Sequence, residues 1–164
     1  MKRLLIVRHA KAIKAGPRGR DADRALSERG ADDATEMGRR IAARGTHPDA
    51  VVCSPAARAL ETARLICREL DFPWREILAV KAAYQADVET LVELVRAIDE
   101  PAQTALLVGH NPGCTELAQA LARDFGQELP TCAVVALDFP ADTWRGVRRR
   151  SGDLRWYDYH ALQR

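Results

Sequence analysis

Four cation-capable side chains, far apart in the sequence, each follow a short apolar run. Arg8 and His9 close the segment IVRHAK, Arg58 lies in CSPAARALETA, and His110 lies in LLVGHNPG. Arginine presents a planar fork of N–H donors that matches two phosphate oxygens at once. Histidine can be neutral or charged near pH 7, so one imidazole could attack phosphorus while another stabilises negative charge. Brought together, the four side chains would bind a compact dianion, for which phosphate is the obvious candidate.

The apolar periodicity predicts an alternating series of strands and helices around these segments. Short apolar runs predict strands over residues 3–7, 50–53, 77–80, 104–108, 133–139 and 154–159. Apolar residues at helical spacing predict helices over residues 28–44, 57–70 and 88–98, and a fourth from Pro112 to Phe125. The alternation indicates an α/β fold, a three-layer α/β/α sandwich with a mostly parallel central sheet. A short polar link before the last strand predicts a C-terminal antiparallel hairpin.

The predicted sheet brings the four side chains to one edge. Arg8 and His9 follow the first strand, Arg58 the second, and His110 the strand over 104–108. The carboxyl ends of parallel strands share an edge, and ligands of open α/β sheets bind there. Each segment alone has a simpler interpretation: a solvated strand exit, a surface arginine, or a turn before a capped helix. Their joint placement is what indicates a functional site.

These segments resemble the motifs of the histidine phosphatase superfamily, which has a phosphoglycerate mutase-like fold. LLIVRHAK resembles the family's Arg-His-Gly signature, with Ala10 where glycine is usual. SPAARALETA resembles its second arginine motif, and LLVGHNPG resembles its second histidine motif. The matches run from residue 4 to about 113 in the family's order. The compact length and the RHAK opening look most like the small SixA-type phosphohistidine phosphatases.

The resemblance implies a role for each matching residue. His9 would be the nucleophile that forms a transient phosphohistidine. Arg8 and Arg58 would hold the equatorial phosphate oxygens, and a protonated His110 would complete the pocket and neutralise transition-state charge. It implies no metal and no other cofactor, and the sequence contains no Asp/Glu/His arrangement with metal-ligand spacing.

Two further residues are candidates for substrate binding. Lys11 is close enough in sequence to His9 to touch a bound phosphate. Ser27 could line the pocket, although it is also a plausible N-cap for the helix over 28–44. Between them, the loop over residues 10–26 carries several basic residues, which could steer an anionic substrate or could simply be solvated.

The proton donor that many family members carry after the third strand is not evident. The nearest carboxylate there is Asp87, whose better interpretation is a helix N-cap. An alkoxide leaves poorly without an acid, because its conjugate acid has a pKa near that of water, about 15.7. An imidazole leaves far more easily, with a reference pKa of about 6.5. The sequence therefore favours cleavage of P–N bonds over alkyl P–O bonds, and it disfavours a phosphoglycerate mutase.

Length and composition predict one globular domain over residues 1–164. The formal net charge of +2 gives no support to nucleic-acid binding. The apolar stretch at the N-terminus is too short for a signal peptide or a membrane helix, so we expect a cytoplasmic protein without a membrane partner. None of the four cysteines forms a C-x-x-C pair, and each lies in an apolar segment, which predicts reduced, buried thiols.

The leading hypothesis is a phosphatase that acts on a phosphorylated histidine-containing protein and releases phosphate ion. A small-molecule phosphomonoesterase, acting on a small phosphorylated metabolite with the same pocket, is the first alternative. A non-catalytic phosphate-binding module is the second, and His9 argues against it because a binder needs the arginines but no nucleophile.

Overall fold

Six strands form one mixed sheet in the computed structural model, which describes residues 1–160. The strands are β1 (Lys2–Arg8), β2 (Ala50–Cys53), β3 (Leu78–Ala79), β4 (Thr104–Gly109), β5 (Val134–Phe139) and β6 (Asp153–Asp158). The helices are α1 (Glu28–Ala43), α2 (Ala57–Glu69), α3 (Val88–Arg96) and α4 (Gly113–Leu121).

The strand order is β3-β2-β4-β1-β5-β6, and the first four of these strands are parallel to one another. β5 is antiparallel to both β1 and β6, which confirms the predicted C-terminal hairpin. Arg8 pairs with Gly109, and Cys53 pairs with Val108. Because these partners sit at the carboxyl ends of β1, β2 and β4, the chain leaves all three strands at the same edge.

Side chains alternate between two cores, one on each face of the sheet. Along β1, Leu4 and Ile6 face the core formed with α3 and α4, whereas Leu5 and Val7 face the core formed with α1 and α2. A strand covered on both faces needs apolar residues at consecutive positions, which explains the unbroken apolar runs in the sequence. The three-layer α/β/α sandwich predicted from the sequence is confirmed.

The main boundary differences lie near β3 and α4. The third strand is only two residues long and both are exposed, because it pairs at the edge of the sheet beside β2. The fourth helix begins at Gly113 and ends at Leu121, so Phe125 is buried but lies beyond the helix. The side chain of Asn111 still accepts from a helix N–H, that of Thr115, at 3.2 Å.

The cysteines of the described chain are free and buried, as predicted: Cys53, Cys67, Cys114 and Cys132. Burial raises the pKa of each thiol to about 12. Within residues 1–160, none of the helices is long and apolar enough to cross a membrane.

The segment after β1 rests directly on the first turn of α1. Ser27 caps this helix by accepting from the Gly30 N–H at 3.0 Å, and its hydroxyl donates to the Lys11 carbonyl at 3.2 Å. A Cβ on Gly30 would clash with that same carbonyl oxygen. Glycine at this position therefore allows the backbone that leads out of β1 to lie against α1.

We predict that Gly30→Ala lowers the free energy of unfolding by about 1–3 kcal/mol, because backbone atoms on both sides must move apart. Urea unfolding measures the change. Gly126→Ala is the control, since a Cβ there meets nothing within 4 Å, and it should shift stability by no more than about 0.5 kcal/mol. Equal effects of the two substitutions would contradict the proposed contact.

Candidate active site

A cavity of about 390 Å³ opens at the carboxyl edge of the parallel strands, and the four predicted cations line it together: Arg8, His9, Arg58 and His110. Arg8 is the last residue of β1, and His9 follows it. The backbone N–H of His9 donates to the Gly109 carbonyl at 2.9 Å. Arg58 lies in the first turn of α2, and His110 follows β4 directly. The sheet register places these separate segments side by side.

The imidazole of His9 is held in one orientation by its own backbone. Nδ1 lies 2.7 Å from the carbonyl oxygen of Ala10. A carbonyl can only accept, so Nδ1 carries the proton and Nε2 carries the lone pair. Arg58 Nε donates to that Nε2 at 3.3 Å. The lone pair of His9 therefore points toward the buried guanidinium of Arg58.

Arg58 is 4% exposed and is fixed by contacts at both its backbone and its side chain. Its Nη1 donates to the Asp21 carbonyl at 2.8 Å, and its Nη2 donates to the Asp21 carboxylate at 2.9 Å. The Thr62 hydroxyl donates to the Arg58 carbonyl at 2.7 Å and accepts from the Ala10 N–H at 3.0 Å. Thr62 thus ties α2 to the segment after His9 through backbone groups; it does not touch the guanidinium.

His110 packs against two aromatic rings and hydrogen-bonds to a buried serine. Its ring centroid is 5.2 Å from that of His9 and 5.4 Å from that of Tyr84. Its Nε2 lies 2.7 Å from the hydroxyl of Ser54, the residue that follows β2. The sequence alone does not indicate this contact, because nothing in the chain shows that β2 and β4 are neighbours.

Two buried nitrogens of this cavity have no hydrogen-bond partner in the part of the chain that the structure describes: Arg8 Nε and His110 Nδ1. Buried polar atoms are normally paired, so these two nitrogens are exceptions among the described residues. Arg8 also donates from Nη1 to the Leu129 carbonyl at 2.8 Å, which anchors its guanidinium.

Burial keeps both imidazoles neutral when no anion is bound. Desolvation, helped by the positive charges of Arg58 and Arg8, lowers the pKa of His9 to about 4. Desolvation, the neighbouring His9 and the two arginines lower the pKa of His110 to about 4 as well. The protonated His110 that the resemblance implies for the occupied pocket is therefore not the form that the empty site favours. A bound phosphate dianion would reverse the sign of the local field and raise that pKa.

Asp21 is the residue that the sequence interpretation missed. It lies in the long loop over residues 10–26, yet it lines the cavity with Arg58. Its Oδ2 also accepts from the Tyr84 hydroxyl at 2.5 Å and from Gln85 Nε2 at 3.3 Å. Hydrogen bonds from Tyr84 and then Arg58 hold the pKa of Asp21 well below its usual range. Its only sequence signal was an acidic residue among the basic residues of an unusually long loop.

The other predicted candidates lie in different places. Lys11 lines the cavity. Ser27 is absent from the cavity lining among the described residues, and its hydroxyl is used as the cap of α1. Asp87 accepts from the Thr90 N–H at 2.9 Å as the N-cap of α3, which confirms that interpretation. Within residues 1–160, no three His, Cys, Asp or Glu side chains are grouped to hold a metal ion.

Comparison with known families gives a match over the first half of the chain. The model of the histidine phosphatase superfamily (branch 1) matches residues 4–81, a range that includes Arg8, His9 and Arg58. An uncharacterized protein of Mycobacterium leprae is 30% identical over 162 residues, which cover 90% of this chain and 96% of the relative.

Solved structures share the fold over nearly the whole chain. A protein of Agrobacterium tumefaciens, provisionally assigned as the phosphohistidine phosphatase SixA, is 28% identical with a TM-score of 0.81, covering 97% of this chain and 98% of its own. The protein histidine phosphatase SixA in complex with tungstate is 19% identical with a TM-score of 0.85, and 99% of both chains are covered. The latter likeness concerns the fold alone.

The neutral imidazoles give a prediction for stability against pH. Unfolded histidine titrates near pH 6.5, whereas folded His9 and His110 titrate near 4. Between these values the unfolded chain binds more protons, so the free energy of unfolding falls as pH drops from 7 to 4. Urea unfolding over this range should show a smaller decline for His9→Gln than for the parent.

The exposed His47 provides the matched control. His47→Gln should retain the parent's larger decline below pH 6.5, since it leaves both buried imidazoles in place. Parallel curves for the parent and His9→Gln would show that the buried imidazole is not the group responsible.

Proposed function

Because the chain belongs to the histidine phosphatase superfamily, we propose that this phosphatase hydrolyses phosphohistidine on a protein, through a covalent phosphohistidine at His9. The observation that carries the covalent step is the orientation of His9: Nδ1 is held by the Ala10 carbonyl, and Nε2 lies unprotonated beside Arg58. A module that only binds phosphate would gain nothing from a neutral imidazole fixed in this way.

In the first step Nε2 of His9 attacks phosphorus, and the bond from phosphorus to the substrate's imidazole nitrogen breaks. Arg8, Arg58 and Lys11 offer N–H donors to the phosphoryl oxygens, and His110 takes up a proton as the dianion raises its pKa. If the other ring nitrogen of the substrate carries a proton, imidazole leaves as a neutral molecule. In the second step water attacks the phosphoenzyme, which releases inorganic phosphate and restores neutral His9.

The acid groups near the cavity favour phosphohistidine over alkyl phosphates. Asp21 is the carboxyl group among the described lining residues, and its lowered pKa keeps it ionised. Tyr84 donates its proton to Asp21, and this hydrogen bond raises its pKa, which makes it a poor acid. An alkoxide leaving group would need a proton that Asp21 and Tyr84 do not readily give. A neutral imidazole leaving group needs no such proton.

Tungstate bound to a protein with the same fold gives further support for an oxyanion pocket. Tungstate and phosphate are both compact tetrahedral oxyanions, which suits a cavity lined by paired arginines and histidines. We also propose that residues 1–164 form a single histidine phosphatase domain that works in the cytoplasm, since buried free thiols suit a reducing compartment. Its partner would be a phosphorylated histidine-containing protein.

We predict that His9→Ala lowers kcat by at least ~10³-fold, because removal of a nucleophile leaves only binding and charge stabilisation. Tungstate binding should persist, since Arg8, Arg58 and His110 remain. Rapid acid-free quenching with labelled substrate should trap an acid-labile phosphoenzyme in the parent and none in the variant. The His47→Ala control should trap the same amount as the parent. Equal turnover by His9→Ala would exclude the covalent mechanism.

Substrate choice separates phosphohistidine from the alternative, a small-molecule phosphomonoesterase. We expect kcat/KM on a phosphorylated histidine-containing domain to exceed that on a panel of alkyl phosphate esters by at least ~10²-fold, because the esters need a general acid and such catalysis contributes 10²–10⁴-fold. Release of inorganic phosphate measures both. Faster cleavage of any alkyl ester would instead identify a small phosphorylated metabolite as the substrate.

A further inference from the structure

The guanidinium of Arg58 has two edges, and the structure uses them differently. The first edge carries Nε and Nη2. The second edge, at the end of the group, carries Nη1 and Nη2. Asp21 takes the end of the group, with its carbonyl on Nη1 at 2.8 Å and its carboxylate on Nη2 at 2.9 Å. The Nε edge faces His9, whose Nε2 lies 3.3 Å away. One residue thus grips Arg58 at two points, on the side away from the nucleophile.

Asp21 is itself held from three directions. Its Oδ2 accepts from the Tyr84 hydroxyl at 2.5 Å and from Gln85 Nε2 at 3.3 Å. Its Oδ1 accepts from Arg24 Nη1 at 3.1 Å. These partners come from two separate segments of the chain, so the carboxylate cannot turn away from Arg58 without breaking several hydrogen bonds.

An ordinary surface ion pair would not have these properties. Exposed pairs contribute little, because both side chains must be ordered and water screens their charges. The Arg58 side chain is only 5% exposed, whereas that of Asp21 is 40% exposed, so the contact replaces water that the guanidinium has lost while the carboxylate keeps part of its hydration. The neighbouring pair between Arg20 and Asp23 shows the contrast: these side chains are 80% and 63% exposed and contact each other at 3.1 Å.

We propose that Asp21 is a positioning residue for Arg58: it holds the guanidinium so that the Nε edge meets the phosphoryl group at His9. This inference rests on the proposed function. When phosphate binds, Nε and the inner hydrogen of Nη2 donate to two phosphoryl oxygens, while Nη1 and the outer hydrogen of Nη2 stay on Asp21. Because Arg58 is already ordered before the substrate binds, no binding free energy is lost in ordering its side chain.

A double-mutant cycle tests whether Asp21 acts through Arg58. Asp21→Ala removes the carboxylate but keeps the backbone carbonyl. We expect it to lower kcat/KM on p-nitrophenyl phosphate by about 10²-fold in the parent, the loss typical of a misplaced reacting group. In the Arg58→Ala background the same substitution should cost less than about 3-fold, because coupled residues are not additive. Equal factors in both backgrounds would overturn the proposal.

Two matched variants separate positioning from charge and from folding. Asp21→Asn keeps an acceptor oxygen for Nη2, so it should recover at least about 3-fold of the activity that Asp21→Ala loses, as hydrogen bonds to Arg remain possible. Asp23→Ala removes a carboxylate from the same turn that contacts Arg20 and should leave kcat/KM unchanged. Loss of activity in Asp23→Ala equal to that in Asp21→Ala would show that the turn, and not the Arg58 contact, is what matters.

Tungstate affinity, measured by calorimetry, gives a readout that does not need turnover. We expect Asp21→Ala to raise the tungstate Kd by about 10-fold when it is made in the parent protein. The same substitution made in the Arg58→Ala variant should leave the tungstate Kd unchanged. If the parent hydrolysed no phosphorylated substrate, the proposed function would fail, but this binding cycle would still decide the role of Asp21. Tighter tungstate binding by Asp21→Ala would show that the carboxylate competes with anions, which contradicts positioning.

Discussion

Concentration of positive charge in a partly buried cavity is the constraint on which the rest of the site depends. Two guanidinium groups and two protonated imidazoles in one small cavity would repel one another strongly. The structure lowers that charge in two ways. Burial keeps His9 and His110 neutral, with pKa values of about 4. Asp21 places one ionised carboxylate against the more buried arginine. Both features lower the repulsion in the empty cavity and leave two guanidinium groups there for the proposed dianion.

Backbone register supplies the accuracy that such a cavity needs. The pairing of Arg8 with Gly109 fixes how far β1 and β4 extend, and His9 continues this pattern with its N–H on the Gly109 carbonyl. Thr62 then joins α2 to the same segment through the Ala10 N–H. Gly30 lets the next residues lie against α1. Backbone contacts of this kind position catalytic atoms more precisely than flexible side chains could, because they are made within rigid elements.

The proposed chemistry follows from the same balance of charge. The groups that neutralise the cavity are a carboxylate held ionised by its hydrogen bonds and two imidazoles held neutral by burial. The Asp21 carboxylate has no proton to give, and the proton that His110 would take up with a bound dianion would offset the charge of the phosphoryl oxygens, so a leaving group that departs without a proton is favoured. Imidazole meets that condition, and an alkoxide does not. The proposed preference for phosphohistidine thus rests on how the cavity offsets its positive charge.

The sequence alone determined the three-layer fold and the edge at which the two arginines and two histidines meet, because apolar periodicity fixes element type and parallel strands place their carboxyl ends together. It predicted β2 to the residue and the cap of α3 by Asp87. It could not place Asp21, since a loop residue 37 positions from Arg58 shows no periodicity that indicates its contact. The Ser54–His110 hydrogen bond and the neutral imidazoles were likewise decided only by the tertiary structure, because neighbour relations and burial arise when distant segments pack together.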